Sequence, residues 1–258
     1  MLKTLLLLLL SCGLASTVSA DPLTVGLHAG SSVPDLRDNG GNELSRGWSS
    51  RVAPCYGGFA ELRITPAFSV QAEVSYAPQG GRKDGLQPIL TDVSALGVPS
   101  NVRLYADLKN TTKLDYLEIP VLAKVHFGPE SRLFVSAGPY VGFLLSAKTV
   151  SAGKSSIYLD PQGTQPLTFP PGSPYEGLPV PPQDFGATTD IKTDLRATNW
   201  GLQAGVGCSQ PTGPGVARLE VRGGLGLVNL QRDTARNGKN VTGNLVIALG
   251  YGVGLGGR

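Results

Sequence analysis

The chain has 258 residues, with 35 glycines, 20 prolines, and 22 basic against 19 acidic side chains for a net charge of +3. So small and unclustered a positive balance leaves no footprint for nucleic-acid binding, and the glycine and proline content is high for a globular enzyme. Beyond the first residues no stretch is apolar enough for a membrane helix, so the chain is soluble or crosses a membrane as strands.

At the N-terminus, Met1-Leu2-Lys3, the run Leu5 to Leu10, and Val18-Ser19-Ala20 before Asp21-Pro22 have the three-part layout of a secretory leader. Cleavage is expected after Ala20, so 1–20 is read as a removed signal peptide and 21–258 as one domain. Leu10-Ser11-Cys12 also resembles a lipoprotein box, an alternative that would place a lipid on Cys12.

Apolar residues then recur at period 2, the signature of strands. The first segment is Leu23 to Gly30. Ala60, Leu62 and Ile64 alternate with Phe59, Glu61 and Arg63, and Phe68, Val70, Ala72, Val74 and Tyr76 alternate with Ser69, Gln71, Glu73 and Ser75. The clearest run is Leu114 to Phe127, in which one face carries Leu117, Ile119, Val121, Ala123, Val125 and Phe127, with Asp115 its only polar member. Its other face carries Tyr116, Glu118, Pro120, Leu122, Lys124 and His126. Leu133 to Phe143, Thr198 to Ser209, Ala217 to Val221 and Asn244 to Val253 complete about eight strands. An even number suits a closed bacterial barrel.

Short turns rich in proline or glycine, at Thr65-Pro66, Gly128-Pro129-Glu130 and Gln210 to Gly215, alternate with long connections. The long ones are Ser31 to Pro54, Pro78 to Thr112, Val150 to Ala197 and Gln231 to Asn240, read as structureless segments leaving a barrel rim. Short periplasmic turns and long extracellular loops distinguish an outer-membrane barrel from a soluble sandwich. The expected fold is therefore all-β: a single closed antiparallel transmembrane β-barrel of about eight strands in the cell outer membrane. Eight of the prolines fall between Pro161 and Pro182, which marks that loop as either a contact surface or a flexible insertion.

The outward face is expected to meet membrane lipid. The inward face collects Glu61, Arg63, Glu73, Glu118, Lys124, Arg132, Arg218, Glu220 and Arg222. Charges of both signs in a lumen just wide enough for side chains should pair, filling the barrel with a structural ion network. Tyr76, Trp200 and Tyr251 fall near expected strand ends, where interfacial aromatics belong.

Catalytic chemistry is not legible. His28 is expected at the exterior end of the first strand and His126 at the periplasmic end of the fourth, neither beside a nucleophile, so no triad, metal set or cofactor site is assigned. Exterior-loop acids such as Asp107, Asp160, Asp184 and Asp190 are read as solvated. Cys55 and Cys208 are expected at opposite rims, beyond disulfide reach. Gly252, Gly254 and Gly256 mimic a nucleotide-binding glycine pattern without a following helix, and the sequons at Asn110 and Asn240 carry little weight in a bacterial-type chain.

The strand Tyr116-Leu117-Glu118-Ile119-Pro120-Val121-Leu122-Ala123-Lys124 resembles the hallmark strand of the PorT-like outer-membrane β-barrel family of Bacteroidetes. Val70 to Gly80, Ala137 to Lys148 and Asn199 to Gly207 resemble its third, fifth and sixth strands. The resemblance implies fold and outer-membrane location, with secretion of surface proteins among the roles of some relatives. The chain departs from the pattern by continuing past Tyr251 to Arg258, which makes Tyr251 the candidate signal for the barrel-assembly machinery. The functional expectation is a charge-filled barrel, not an enzyme, acting on an unidentified protein or surface ligand through its loops. The alternatives are a small-solute pore and a soluble periplasmic β-barrel carrier.

Overall fold

Alternating side chains can satisfy lipid on one side and a polar lumen on the other only if every strand edge is paired. The computed structural model meets that requirement; it describes residues 23–40, 43–89, 102–128 and 132–255. The expected leader, Cys12 and the last three residues lie outside the described residues.

Among the described residues there are eleven strands: β1 Leu23–Asp38, β2 Ala53–Thr65, β3 Phe68–Pro88, β4 Tyr105–Phe127, β5 Leu133–Ala152, β6 Lys154–Ser155, β7 Gln183–Asp184, β8 Ala187–Asp190, β9 Thr198–Thr212, β10 Gly215–Gly226 and β11 Asn240–Leu255. Eight of them form an antiparallel ring in the order β4-β3-β2-β1-β11-β10-β9-β5, and pairing of β4 with β5 closes it. Following paired residues round the ring from Leu23 returns to β1 at Val33, ten residues further along. That stagger is the strand tilt that closure demands. No helix among the described residues is long and apolar enough to cross a membrane.

Burial follows the alternation. Along β4, Tyr116, Glu118, Leu122, Lys124 and His126 are buried, while Val121, Val125 and Phe127 are exposed. An outward Leu at 66% exposure, Leu249, would be a liability in water and is ordinary against lipid. Two-residue turns, Pro66-Ala67 and Gly213-Pro214, join β2 to β3 and β9 to β10. Gly213 supplies the left-handed φ of +60° that a side chain would resist.

Four sequence expectations need correction. The strands run further than their alternation: β1 continues to Asp38, β3 to Pro88 and β5 to Ala152, and β4 begins at Tyr105. The expected loops are shorter to match, because β3, β4 and β5 stay paired above the membrane, where neither face has to be apolar. The connection after β5 is folded, not structureless. Leu104, Ile157, Leu167 and Val180 bury one another there, and Tyr158 bridges to both Tyr105 and Pro166. Asp160 closes a tight turn by accepting from the Gln162, Thr164 and Gln165 amides. Desolvation raises the Asp160 carboxyl and those amides outweigh it, holding it below the usual carboxylate range.

Tyr76 likewise does not end its strand. It lies within β3, stacks on Tyr56 at 5.1 Å and donates to Asp115 at 2.6 Å. This accounts for the lone polar residue on the outward face of the 114–127 run of β4. Finally, His28 is in the middle of its strand, opposite Gly57 and Gly250, and not at its exterior end.

Many glycines serve the lumen by leaving room for rings. A Cβ on Gly207 would lie 2.3 Å from the Phe134 ring, and one on Gly26 2.6 Å from Phe59. Gly138 is tighter still, since its Cβ would lie 1.9 Å from the Val121 carbonyl oxygen. There β5 faces the stretch just after Pro120, where the β4–β5 ladder is interrupted between Pro120 and Ala123. Gly138→Ala should therefore cost about 1–3 kcal/mol by forcing the strands apart. Urea unfolding of the folded barrel checks this; a change within about 0.5 kcal/mol would refute it.

Candidate functional site

The interior carries the polar chemistry, and closure of the ring brings inward residues of β2, β3, β4 and β10 to one axis. At the periplasmic end Glu61 is the hub. Its Oε2 meets Arg218 NH1 at 2.8 Å and Lys124 Nζ at 3.2 Å, and its Oε1 accepts from Ser69 at 2.8 Å. Lys124 also lies over the Phe134 ring at 3.9 Å and Arg218 over Phe59 at 4.4 Å, so both cations have a second stabilising contact.

One level further out, Arg222 spans two carboxylates. It donates NH1 and NH2 to Glu73 at 2.9 and 2.7 Å, and NH2 and Nε to Glu220 at 3.0 and 3.2 Å. Gln71 couples the two levels, accepting from Lys124 and Arg218 while donating to Glu73. A network in which each buried charge has a partner avoids the desolvation penalty of a lone ion.

Of the nine residues singled out from the sequence, six are in these two clusters: Glu61, Lys124 and Arg218 in one, Glu73, Arg222 and Glu220 in the other. The remaining three are elsewhere. Arg63 is half-buried at the periplasmic rim and donates to His126 Nδ1 and the Pro66 carbonyl, each at 3.4 Å. Arg132 donates to Gln210 Oε1 at 3.2 Å. Glu118 has no cationic partner among the described residues; its two oxygens accept instead from Gln79 Nε2 and Gln203 Nε2, each at 2.9 Å. Alternation revealed that Glu118 points inward but could not reveal that both facing side chains are amides.

Both histidines have a serine beside them, which the sequence did not suggest. His28 Nε2 is 3.2 Å from Ser75 Oγ, and His126 Nε2 is 2.8 Å from Ser69 Oγ. Ser69 commits its one proton to Glu61, so toward His126 it can only accept. His126 is thus a donor there, not the base that would activate a serine nucleophile. Ser69 is also fully buried. Among the described residues no group of three His, Cys, Asp or Glu side chains is arranged to hold a metal ion. Among the described residues the two cysteines form no disulfide, Cys55 lying on β2 opposite Gly30 and Cys208 on β9 opposite Leu133.

Beyond the ion clusters the lumen changes character. A cavity of about 40 Å³ lies against His28, Ser32, Glu73, Glu118, Gln203 and Arg222. Further out, Asn199 donates to Thr242 at 2.9 Å, and then an apolar cluster crosses the mouth. It joins Leu36, Leu114, Tyr116, Leu144 and Ala147 from the wall to Leu195 and Leu230 from two exterior loops, with Trp48 and Ile191 packed against them. The loops are tied together where Arg196 N donates to the Leu230 carbonyl at 2.8 Å and Arg232 Nε to the Leu195 carbonyl at 2.8 Å. Leu195 is an isolated apolar residue in a polar loop and Leu230 follows Leu227 and Val228 just beyond β10, weak signals that the sequence reading passed over.

Comparison with solved structures returns outer-membrane barrels of low identity. The attachment invasion locus protein Ail of Yersinia pestis, in complex with the heparin analogue sucrose octasulfate, is 10% identical, with 89% of this chain and 98% of that chain covered and a TM-score of 0.39. Neisserial surface protein A is 14% identical over 92% and 100% at a TM-score of 0.38. OprG of Pseudomonas aeruginosa is 12% identical over 92% and 98% at 0.36. None of the curated proteins matches the chain. The outer membrane protein beta-barrel domain, in contrast, matches residues 17–246 as a family. That assignment agrees with the closed eight-stranded ring and its apolar outer band, and it sets aside the soluble carrier: the chain belongs to the outer-membrane β-barrel domain family and is located in the outer membrane, against lipid.

Proposed function

We propose that the chain is a non-conducting, non-enzymatic barrel of the PorT-like, Bacteroidetes type, exported by a leader cleaved after Ala20 and inserted by the barrel-assembly machinery through Tyr251. Its lumen charges have a structural role, and its exterior loops bind a partner protein or surface ligand, in a binding or secretion-accessory role. One observation carries this reading: the lumen is obstructed twice, by ion clusters and by an apolar cap built from the loops themselves. A solute path would need a continuous polar route. Leu195 and Leu230, each 1% exposed, interrupt it at the mouth, and apolar constrictions exclude ions by dewetting.

The loops that form the cap also present the outer surface. The folded 153–197 segment leaves Tyr175 at 59% and Leu178 at 57% exposure above its own small core, an arrangement suited to contact. Reconstitution in planar bilayers tests the reading. No steady single-channel current is expected, either from the unaltered protein or from Leu195→Asp combined with Leu230→Asp, because the ion clusters still close the lumen below the cap. Regular conductance steps from the unaltered protein would overturn the closed reading and favour the pore.

A further inference from the structure

The charges in the lumen are not evenly balanced along its length. Two carboxylates, Glu73 and Glu118, and one guanidinium, Arg222, line the cavity, and Arg222 is engaged by Glu73 and by Glu220 beside it. Glu118 is 3% exposed and has no lysine or arginine within ion-pair reach among the described residues. Two amide donors satisfy its geometry without cancelling its charge, and an uncompensated buried carboxylate is strongly disfavoured.

A second observation comes from the opposite wall. Ser32 lines the same cavity, is 1% exposed, and its Oγ has no hydrogen-bond partner. Buried hydroxyls are rarely left so. The cavity has room for roughly two or three water-sized particles. The histidine there, His28, faces Ser75 at 3.2 Å, and Cys55 and Tyr76 are the other titratable groups on the wall besides the carboxylates and Arg222.

We propose that this cavity is a binding site for a small monovalent cation, with the Glu118 carboxylate as its anionic ligand and the Ser32 hydroxyl as a second oxygen donor. Hard cations take oxygen ligands of this kind. The cation compensates Glu118, which Arg222, engaged by Glu73 and Glu220, leaves without an ion-pair partner. Size limits the occupant, because a quaternary ammonium is far larger than the space available.

The test uses the folded full-length barrel in detergent at about pH 8, where an ordinary histidine is neutral. Thermal midpoints are compared in sodium, potassium and choline chloride at one ionic strength of about 0.15 M. A midpoint about 4 °C higher in the sodium or the potassium salt than in choline is expected. Glu118→Gln, which keeps an oxygen for one of the two amides, should reduce that difference to under about 1 °C, as should Ser32→Ala. Equal midpoints in all three salts would overturn the proposal, as would a difference that survives in both variants. A midpoint that responds to pH but not to the cation would overturn it too, and would assign the neutralising charge to a proton. If Glu118→Gln fails to fold, Ser32→Ala decides alone.

Discussion

Arg222→Met should destabilise the folded barrel by about 3–5 kcal/mol, the range seen when one partner of a buried ion cluster is removed. Methionine keeps much of the arginine's volume, so little of the loss can be attributed to a cavity. What remains are two carboxylates, Glu73 at 3% and Glu220 at 9% exposure, without their shared cation. Glu220 keeps its hydrogen bond from Ser136 at 2.8 Å and Glu73 keeps Gln71, but neutral donors do not cancel charge. Restoring neutrality should therefore restore stability. Arg222→Met combined with Glu73→Gln and Glu220→Gln is expected to recover most of the loss, since neutral replacements of a buried ion cluster are often tolerated.

Arg63→Met is the control. Arg63 is half-buried at the rim and contacts His126 and a carbonyl, so its removal should cost no more than about 1 kcal/mol. Urea unfolding followed by the fluorescence of Trp48 and Trp200 measures all three variants. If Arg222→Met costs no more than Arg63→Met, the ion clusters do not hold the lumen together.

The arrangement that makes Arg222 so consequential was only half legible in the sequence. Alternation along β10 placed Arg218, Glu220 and Arg222 on one face, and the lumen contacts of Arg218 with Glu61 and of Arg222 with Glu73 and Glu220 show the same face. Partner choice is a different kind of information. Glu73 lies on β3 and reaches Arg222 across the lumen, 149 positions away in sequence, because the ten-residue stagger of the ring sets which levels coincide. A pattern of period 2 contains no term for stagger. Glu118 shows the consequence: its inward direction could be read from Tyr116 to Lys124, while its pairing with Gln79 depended on the β3–β4 register and that with Gln203 on the β4–β5 and β5–β9 registers.

Strand ends were obscured for a related reason. Gln79 to Pro88, with Gly80, Gly81, Arg82, Lys83 and Asp84, has the composition of a turn, yet it pairs residue by residue with Tyr105 to Leu114. Above the membrane neither face is required to be apolar, so the alternation fades while the ladder continues. Gly80 and Gly85 take φ of +111° and +106°, and such glycines mark twist in a paired ribbon as readily as a turn. The proline-rich segment misled in the opposite direction. Its prolines suggested an unpacked linker, but Leu167 and Val180 within it, with Ile157 and Phe185 on its flanks, gather against Leu104. Burial of that kind depends on a chain reversal around Asp160, which no local periodicity records.

Leu249→Arg should be nearly as damaging as the loss of Arg222, with a cost of about 2–4 kcal/mol, although it removes no buried contact. Leu249 is 66% exposed in the middle of the outward band of β11, which runs from Leu245 to Leu255. An arginine there must either leave its charge in hydrocarbon or distort the bilayer to reach water. The cost should fall with depth, so Leu255→Arg, at the periplasmic end of the same face and 49% exposed, is expected to lose about 0–1 kcal/mol. Leu178→Arg, in the exterior proline-rich segment and 57% exposed, should be within about 0.5 kcal/mol of neutral. The three leucines have similar exposure and differ only in the medium they face, so exposure alone predicts equal effects and a bilayer predicts a steep ranking. Unfolding in lipid vesicles measures that ranking. Equal losses at Leu249 and Leu178 would mean that the band on β11 does not face hydrocarbon. The expected order, Leu249 far above Leu255 and Leu255 at or above Leu178, places the lipid boundary between the ring and its loops, at the level where Tyr76 meets Asp115 and the paired strands continue beyond the membrane.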